Sequence, residues 1–171
     1  MPRKASKKIR KRIEIEENQI GAGKLQAENL LKEQIEDPMV QLRYAYAIDV
    51  IQARLKLVNA DLTEQNHRQI IRSMSSRIKS TESICKKLVK KEREMTFENA
   101  VATLNDIAGI RVVCYFCDDI YQIATALRRQ CDFRIIKEKD YVSNPKKSGY
   151  QSIHLIVGVP VTYNEEKEEV R

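Results

Sequence analysis

Residues 107–130, IAGIRVVCYFCDDIYQIATALRRQ, decide the fold. The first ten are apolar or β-branched apart from one arginine, which is the composition of a strand in a core. From Asp118 onward, Ile120, Ile123, Ala124 and Leu127 recur three and four apart. That spacing predicts an amphipathic helix, and Asp118 and Asp119 fall in its first turn, where a helix favours negative charge. Downstream, FRIIKEK (133–139) and QSIHLIVGV (151–159) read as two more strands. TYNEEKEEVR (162–171) reads as an acidic turn leading into the first residue or two of another strand.

Upstream, TFENAVATLN (96–105) is a short helix capped by Thr96, and residues 81–93 are a helix capped by Ser80 or Thr81. Part of RQIIRSMSSRIKS (68–80) is a strand, and NADLTEQN (59–66) a loop or connector. From Met39 to about Val58, the residues Val40, Tyr44, Ala47, Ile48, Ile51, Leu55 and Val58 mark a helix that starts at Asp37-Pro38. Residues 3–34 favour helix, with a break expected at GAG (21–23). The order strand–helix–helix–strand–helix–strand–strand predicts an α+β (mixed α/β) fold: a mixed β-sheet flanked by helices, with a helical N-terminal segment. Residues 1–36 form a basic extension and 37–171 a single domain.

The net charge of +7 is unevenly placed. Residues 1–12 hold seven Lys or Arg and no acid, leaving 24 basic residues against 24 acidic ones elsewhere. A basic arm on a neutral body suits RNA, DNA or an acidic partner, and equally a solvated tail. No apolar run reaches the length of a membrane span and no signal peptide is visible, so a cytoplasmic protein without membrane contact is expected. The CYFC pair (114–117) has no second pair to complete a zinc site. The four cysteines are therefore read as buried thiols.

Three stretches carry candidate chemistry. In KDYVSNPKKSGYQSIH (139–154), strand alternation would turn Tyr150, Ser152 and His154 to one face and Gln151, Ile153, Leu155 and Val157 to the core. An exposed tyrosine is a base-stacking platform, Lys139, Lys146 and Lys147 suit phosphates, and Gly149 allows close approach. The bland alternative is a solvated sheet face behind a basic hairpin loop. In SSRIKSTESICKKL (75–88), Arg77 and Lys79 share a strand face ahead of a helix N-terminus, which attracts anions. Nine basic residues against two acids between Arg68 and Arg93 suit a polyphosphate. In NDIAGIRVVC (105–114), Asp106 at a strand end can ligate Mg²⁺, and Arg111 within the strand needs an anion. A straight strand would point these two to opposite faces; a turn-capping role is the alternative for Asp106.

Together, SRIKSTESICKKL, DIAGIRVVCYFCDDIY and KDYVSNPKKSGYQSIH resemble, in order and spacing, the synthetase domain of the RelA/SpoT family. The resemblance covers about residues 40–160 and is nearest to the single-domain small alarmone synthetases. It implies a nucleotidyltransferase-like synthetase fold. It also implies transfer of the β,γ-pyrophosphate of ATP to the 3′-hydroxyl of GTP or GDP, giving AMP and (p)ppGpp. Carried over by motif, Arg77 and Lys79 bind ATP phosphates, with Ser83, Lys87 and Arg111 in the same site. Asp106 is the Mg²⁺-binding aspartate. Lys139 and Lys146 hold nucleotide phosphates, Tyr150 stacks on guanine, and His154 is the active-site histidine. Ser148 stands where long family members usually carry Asn. A homo-oligomer is also implied.

The family pattern continues with a strand bearing Glu-Ile-Gln-Ile-Arg-Thr, and no residue in 160–171 matches it. The domain is therefore expected to be incomplete at its C-terminus, with an unpaired sheet edge beside residues 151–159 and little transfer activity. The competing expectation is a catalytically silent nucleotide- or RNA-binding module. A metal-binding regulator using CYFC and His154 ranks last.

Overall fold

The computed structural model describes residues 21–163 and 165–171. The basic arm at residues 1–12 and most of the expected N-terminal helix lie outside them. The described chain divides into two units. One holds the chain up to Asp37 together with Ser80–Thr103; the other holds Pro38–Lys79 and Leu104–Arg171.

The first unit is helical. Helix α1 covers residues 21–35, and Gly21 and Gly23 lie within it, so the expected break at GAG is absent from Gly21 onward. Leu31 and Ile35 are buried on this helix, and burial of that size offsets the roughly 1 kcal/mol a glycine costs. Between the two units' sequences the chain runs through the elements of the second unit and returns at α3 (Thr81–Lys90) and α4 (Phe97–Thr103). Ser80 caps α3, its side chain accepting from the Ser83 N–H at 3.4 Å. Thr96 caps α4, accepting from the Asn99 N–H at 3.2 Å. Both caps satisfy donors that a first helical turn leaves open. Ile84, Leu88 and Ala100 are fully buried.

The second unit begins with α2, which spans Pro38–Asn66. The expected apolar face is buried at Tyr44, Ala47, Ile48, Ile51, Leu55 and Val58. The helix does not stop there: residues 59–66, expected as a loop, continue it. Leu62 extends the i, i+4 spacing from Val58 and is buried, which outweighs the weak propensities of Asn59, Asp61 and Asn66. Asn59 instead serves the tertiary structure, its Oδ1 accepting from the Ile71 N–H at 2.9 Å. Asn66 donates to the Leu62 carbonyl at 2.8 Å, and His67 follows in the left-handed region, φ 52°. That residue ends the helix.

Strand β1 (Ile71–Ile78) pairs antiparallel with β2 (Ala108–Cys114). Helix α5 (Cys117–Arg128) follows, then β3 (Arg134–Asp140), β4 (Ile153–Tyr163) and β5 (Glu166–Val170). The class is α+β, as expected, but hydrogen bonding divides the strands into two antiparallel sheets, β1–β2 and β3–β4–β5, instead of one mixed sheet. The first half of β4 pairs with β3 and its second half with β5. The segment expected to begin a strand thus forms a five-residue one, which pairs with β4 at residues 159–163; the unpaired edge was expected beside residues 151–159, of which β5 covers only Val159. Glu166, Glu168 and Glu169, expected in an acidic turn, lie on β5. Glu168 accepts from Arg43 on α2 at 2.6 Å, and Glu169 from Arg134 on β3 at 2.8 Å. Burial and Glu168 push the Tyr44 hydroxyl up to about 12.

No helix among the described residues is long and apolar enough to cross a membrane. Of the four cysteines expected as buried thiols, Cys85 is buried and Cys114 half-buried, while Cys117 and Cys131 are exposed. Cys117 opens α5, and its side chain faces solvent. Burial pushes the Cys114 thiol up to about 11.

Candidate active site

Register builds the first half of the site. In an antiparallel pair, directly opposite residues point to the same face. Arg77 stands opposite Gly109, and Ser75 opposite Arg111. Arg77 and Arg111 therefore share one face of the β1–β2 sheet, each with a small residue across from it. A Cβ placed on Gly109 would touch nothing within 4 Å, so the space beside Arg77 is open. On the opposite face, Ser76 accepts from Gln52 of α2 at 3.1 Å.

Lys79 lies one residue past β1, and its N–H donates to the Ile107 carbonyl at 2.7 Å, continuing the ladder. Its Nζ donates to Asp106 Oδ2 at 2.6 Å. The Lys79 side chain is 13% exposed and that of Asp106 46%. Asp106 precedes β2, so strand alternation does not govern where it points, and the expectation that it opposes Arg111 does not apply. Instead it is bound to the lysine of the other motif.

The loop between β3 and β4 builds the second half. Asp140 Oδ1 accepts from the Val142 and Ser143 N–H groups at 2.8 and 3.0 Å, and its Oδ2 accepts from the Tyr121 hydroxyl at 3.0 Å. The backbone N–H at Ser143 is the main influence holding the Asp140 carboxyl below its usual range. The loop then closes on itself: the Gly149 N–H donates to the Lys146 carbonyl at 2.8 Å, and the Lys146 N–H to the Tyr150 carbonyl at 3.2 Å. Gly149 has φ 76°, a region that strains residues with a Cβ. Ser148 sits exposed in this turn.

Lys139 lies directly opposite His154 in the β3–β4 ladder. The Tyr150 hydroxyl and His154 Nε2 are 2.8 Å apart. Regular alternation was expected to align Tyr150, Ser152 and His154, but β4 begins only at Ile153. Tyr150 reaches His154 from irregular chain, and the Ser152 Oγ is buried without a hydrogen-bond partner among the described residues. Burial, then the charges of Lys146 and Lys139, lower the His154 pKa, so its ring is neutral at pH 7. Tyr141 was not singled out in the sequence. Its ring meets His154 edge-on at 5.2 Å and Tyr150 at 6.3 Å. Its position beside Asp140, a turn-forming residue, is the only sequence signal of it.

Arg111, Tyr150 and His154 all line one cavity of about 630 Å³. Ile48 and Ile51 of α2, Ile123 and Leu127 of α5, and Phe133 supply its apolar lining. Two of the three motifs thus meet at one cavity within the second unit. Ser83 and Lys87 belong to the first unit, one turn apart on α3, and Ser80 Oγ donates to Ser83 Oγ at 3.0 Å.

A largely apolar cavity that also holds Arg111, Tyr150 and His154 suits a ring joined to phosphates. Comparison with known proteins agrees. Residues 76–171 match the family model described as "Region found in RelA / SpoT proteins". The chain is similar to GTP pyrophosphokinase YwaC of Bacillus subtilis, 36% identical over 130 residues, which are 76% of this chain and 62% of that protein. It is 31% identical over 118 residues to GTP pyrophosphokinase YjbM of the same organism, covering 69% of this chain and 54% of the relative. The fold resembles the crystal structure of small alarmone synthetase 1 from B. subtilis bound to its product pppGpp. The TM-score is 0.65 at 29% identity, over 74% of this chain and 66% of that one. The chain thus spans 62% and 54% of the length of the two curated relatives. With its family-matching region covering more than half of its residues, the chain belongs to the RelA/SpoT family.

Proposed function

We propose that this chain is a GTP pyrophosphokinase that moves the β,γ-pyrophosphate of ATP to the 3′-hydroxyl of GTP or GDP, producing AMP and (p)ppGpp. The observation that carries the reading is the single cavity shared by Arg111, Tyr150 and His154. Arg77, Arg111 and Lys79 hold the ATP phosphates from the open sheet face. Ser83 and Lys87 are read as ATP-binding on the strength of the motif alone. Tyr150 stacks on guanine, while Lys139, Lys146 and Ser148 meet the acceptor nucleotide. His154, uncharged at pH 7, keeps a hydrogen-bonding nitrogen at the Tyr150 hydroxyl.

In the reaction, the 3′-oxygen bonds to the β-phosphorus, the bond from that phosphorus to the α,β-bridging oxygen breaks, and AMP leaves. The 3′-hydroxyl proton passes to solvent. Such transfers depend chiefly on positioning and charge neutralisation. A divalent metal, read as Mg²⁺, would supply further neutralisation of the phosphate oxygens when bound. Asp106 would hold it. No cluster of three His, Cys, Asp or Glu side chains that could bind a metal occurs among the described residues. One half-exposed carboxylate nonetheless fits Mg²⁺, which takes one or two carboxylates and fills its shell with water and substrate phosphates.

The test is a transfer assay with labelled ATP, GTP and Mg²⁺ on the chain and on its Asp106→Ala and Tyr150→Ala variants. Weak transfer that is lost in Asp106→Ala, with guanine-nucleotide binding retained, is the expected result. Transfer indifferent to both substitutions would overturn the assignment. Guanine-nucleotide binding with no transfer by the unsubstituted chain would favour a silent binding module.

A further inference from the structure

Lys146 is an exposed residue, yet its ammonium folds back over two rings. It lies 4.7 Å from the ring centre of Tyr141 and 5.1 Å from that of Tyr150. Both rings also pack edge-on against His154, at 5.2 and 5.8 Å. The three rings form a nest, and the ammonium rests on two of them, drawn by their negative faces. Backbone contacts fix both sides. The Tyr141 N–H donates to the Ser152 carbonyl at 2.8 Å, and the Lys146 N–H donates to the Tyr150 carbonyl at 3.2 Å. The lysine thus occupies the ring on which a base would stack.

We infer that Tyr141 is a positioning residue that parks Lys146 on the Tyr150 platform, and that an arriving base displaces the ammonium onto the phosphates of the same nucleotide. The inference rests on the reading of Tyr150 as the base platform. It couples two recognition events. A nucleotide with phosphates restores to the ammonium what it loses at the rings. A nucleoside does not. The site therefore discriminates against a base without phosphates by more than the missing phosphate contacts alone.

A cation on an exposed ring shifts an equilibrium by about twofold to fivefold. Guanosine should accordingly bind Lys146→Ala about twofold to fivefold more tightly than the unsubstituted chain, while GDP binds that variant more weakly. Tyr141→Leu, which keeps the lysine but removes half its resting place, should also tighten guanosine binding and leave GDP binding within about twofold. A purely structural role for Tyr141 would weaken both ligands together. By NMR, the Lys146 ε-methylene resonance should lie upfield in the free protein and return to the position of exposed lysines on adding GDP. Equal guanosine affinities, or an unshifted ε-methylene resonance in the free protein, would overturn the inference and leave Tyr150 as the base platform. GDP binding indifferent to Tyr150→Ala would overturn the platform itself, and the inference with it.

Discussion

Asp119 is the one charged side chain fully shielded from solvent among the described residues. Arg68 donates to both its oxygens, at 2.6 and 3.0 Å, and the Phe116 N–H donates to it at 3.1 Å. The Arg68 guanidinium also lies 4.7 Å from the Phe116 ring centre. The carboxylate thereby ties the start of β1 to the start of α5. The Arg68 hydrogen bonds hold the Asp119 pKa below its usual value, despite burial. Because the folded pKa is depressed, this contribution to stability is complete above about pH 4, the unfolded value, and is lost as pH falls through the folded one. Asp119→Ala should cost about 2 kcal/mol at pH 7, through a lost cap and lost charge-assisted hydrogen bonds. Urea unfolding at pH 7 and pH 3 checks this: the difference from the unsubstituted chain should shrink at the lower pH. At the site, Tyr150→Ala should weaken GDP binding by about 5–150-fold, the worth of one stacked base, as calorimetry would read.

Among the elements, α2 shows how burial overrides local preference. Leu62 is 7% exposed and Leu57 61% exposed, although both are leucines on one helix. Leu62→Ala should destabilise by about 2–4 kcal/mol and Leu57→Ala by less than about 0.5 kcal/mol. Chemical denaturation distinguishes them; equal effects would contradict the continuation of α2 through residues 59–66. The three-stranded sheet depends on a glycine for another reason. The Arg134–Glu169 pair joins β3 to β5 across Gly158, where a Cβ would lie 2.3 Å from a Glu169 side-chain carbon. Gly158→Val should push Glu169 aside and lower stability by about 1 kcal/mol, since the displaced group is a flexible, half-exposed side chain. Substituting Glu169 by Ala, which removes the Cγ and Cδ that the new side chain would meet, should remove most of the sensitivity to that change.

In the molecule as a whole, the second unit brings together residues from three stretches of chain: Arg77 and Lys79 from β1 and its end, Asp106 and Arg111 from β2 and the residues before it, and Tyr150 with His154 around the start of β4. Arg77, Arg111, Lys139 and Lys146, the cations of the proposed site, are exposed. Exposed charges are screened by salt, with a Debye length of about 10 Å at 0.1 M and 3 Å at 1 M. Raising the salt from 0.05 to 0.5 M should therefore weaken GTP binding by roughly tenfold and leave guanosine binding nearly unchanged. Titrations at the two salt concentrations read this directly, and a guanosine affinity as salt-sensitive as that of GTP would count against phosphate capture by these four residues.

The sequence by itself determined the strand at 108–114, the helix after it, the cap at Thr96, the α3 cap to within Ser80 or Thr81, and the apolar face of α2 from Tyr44 to Val58. Each follows from local chemistry: side-chain periodicity, cap hydroxyls and β-branched runs act within a few residues. The family motifs were equally legible, because they are short and contiguous. The tertiary structure decided the rest. Residues 59–66 became helix because Leu62 found a core, and β5 formed because β4 offered it a partner. Lys79 met Asp106 through pairing between segments 27 residues apart, and Tyr141 joined His154 only once the loop closed at Gly149. Pairing and burial of this kind depend on what the chain meets far along its length, and no local pattern encodes the distance or the face at which two such segments come together.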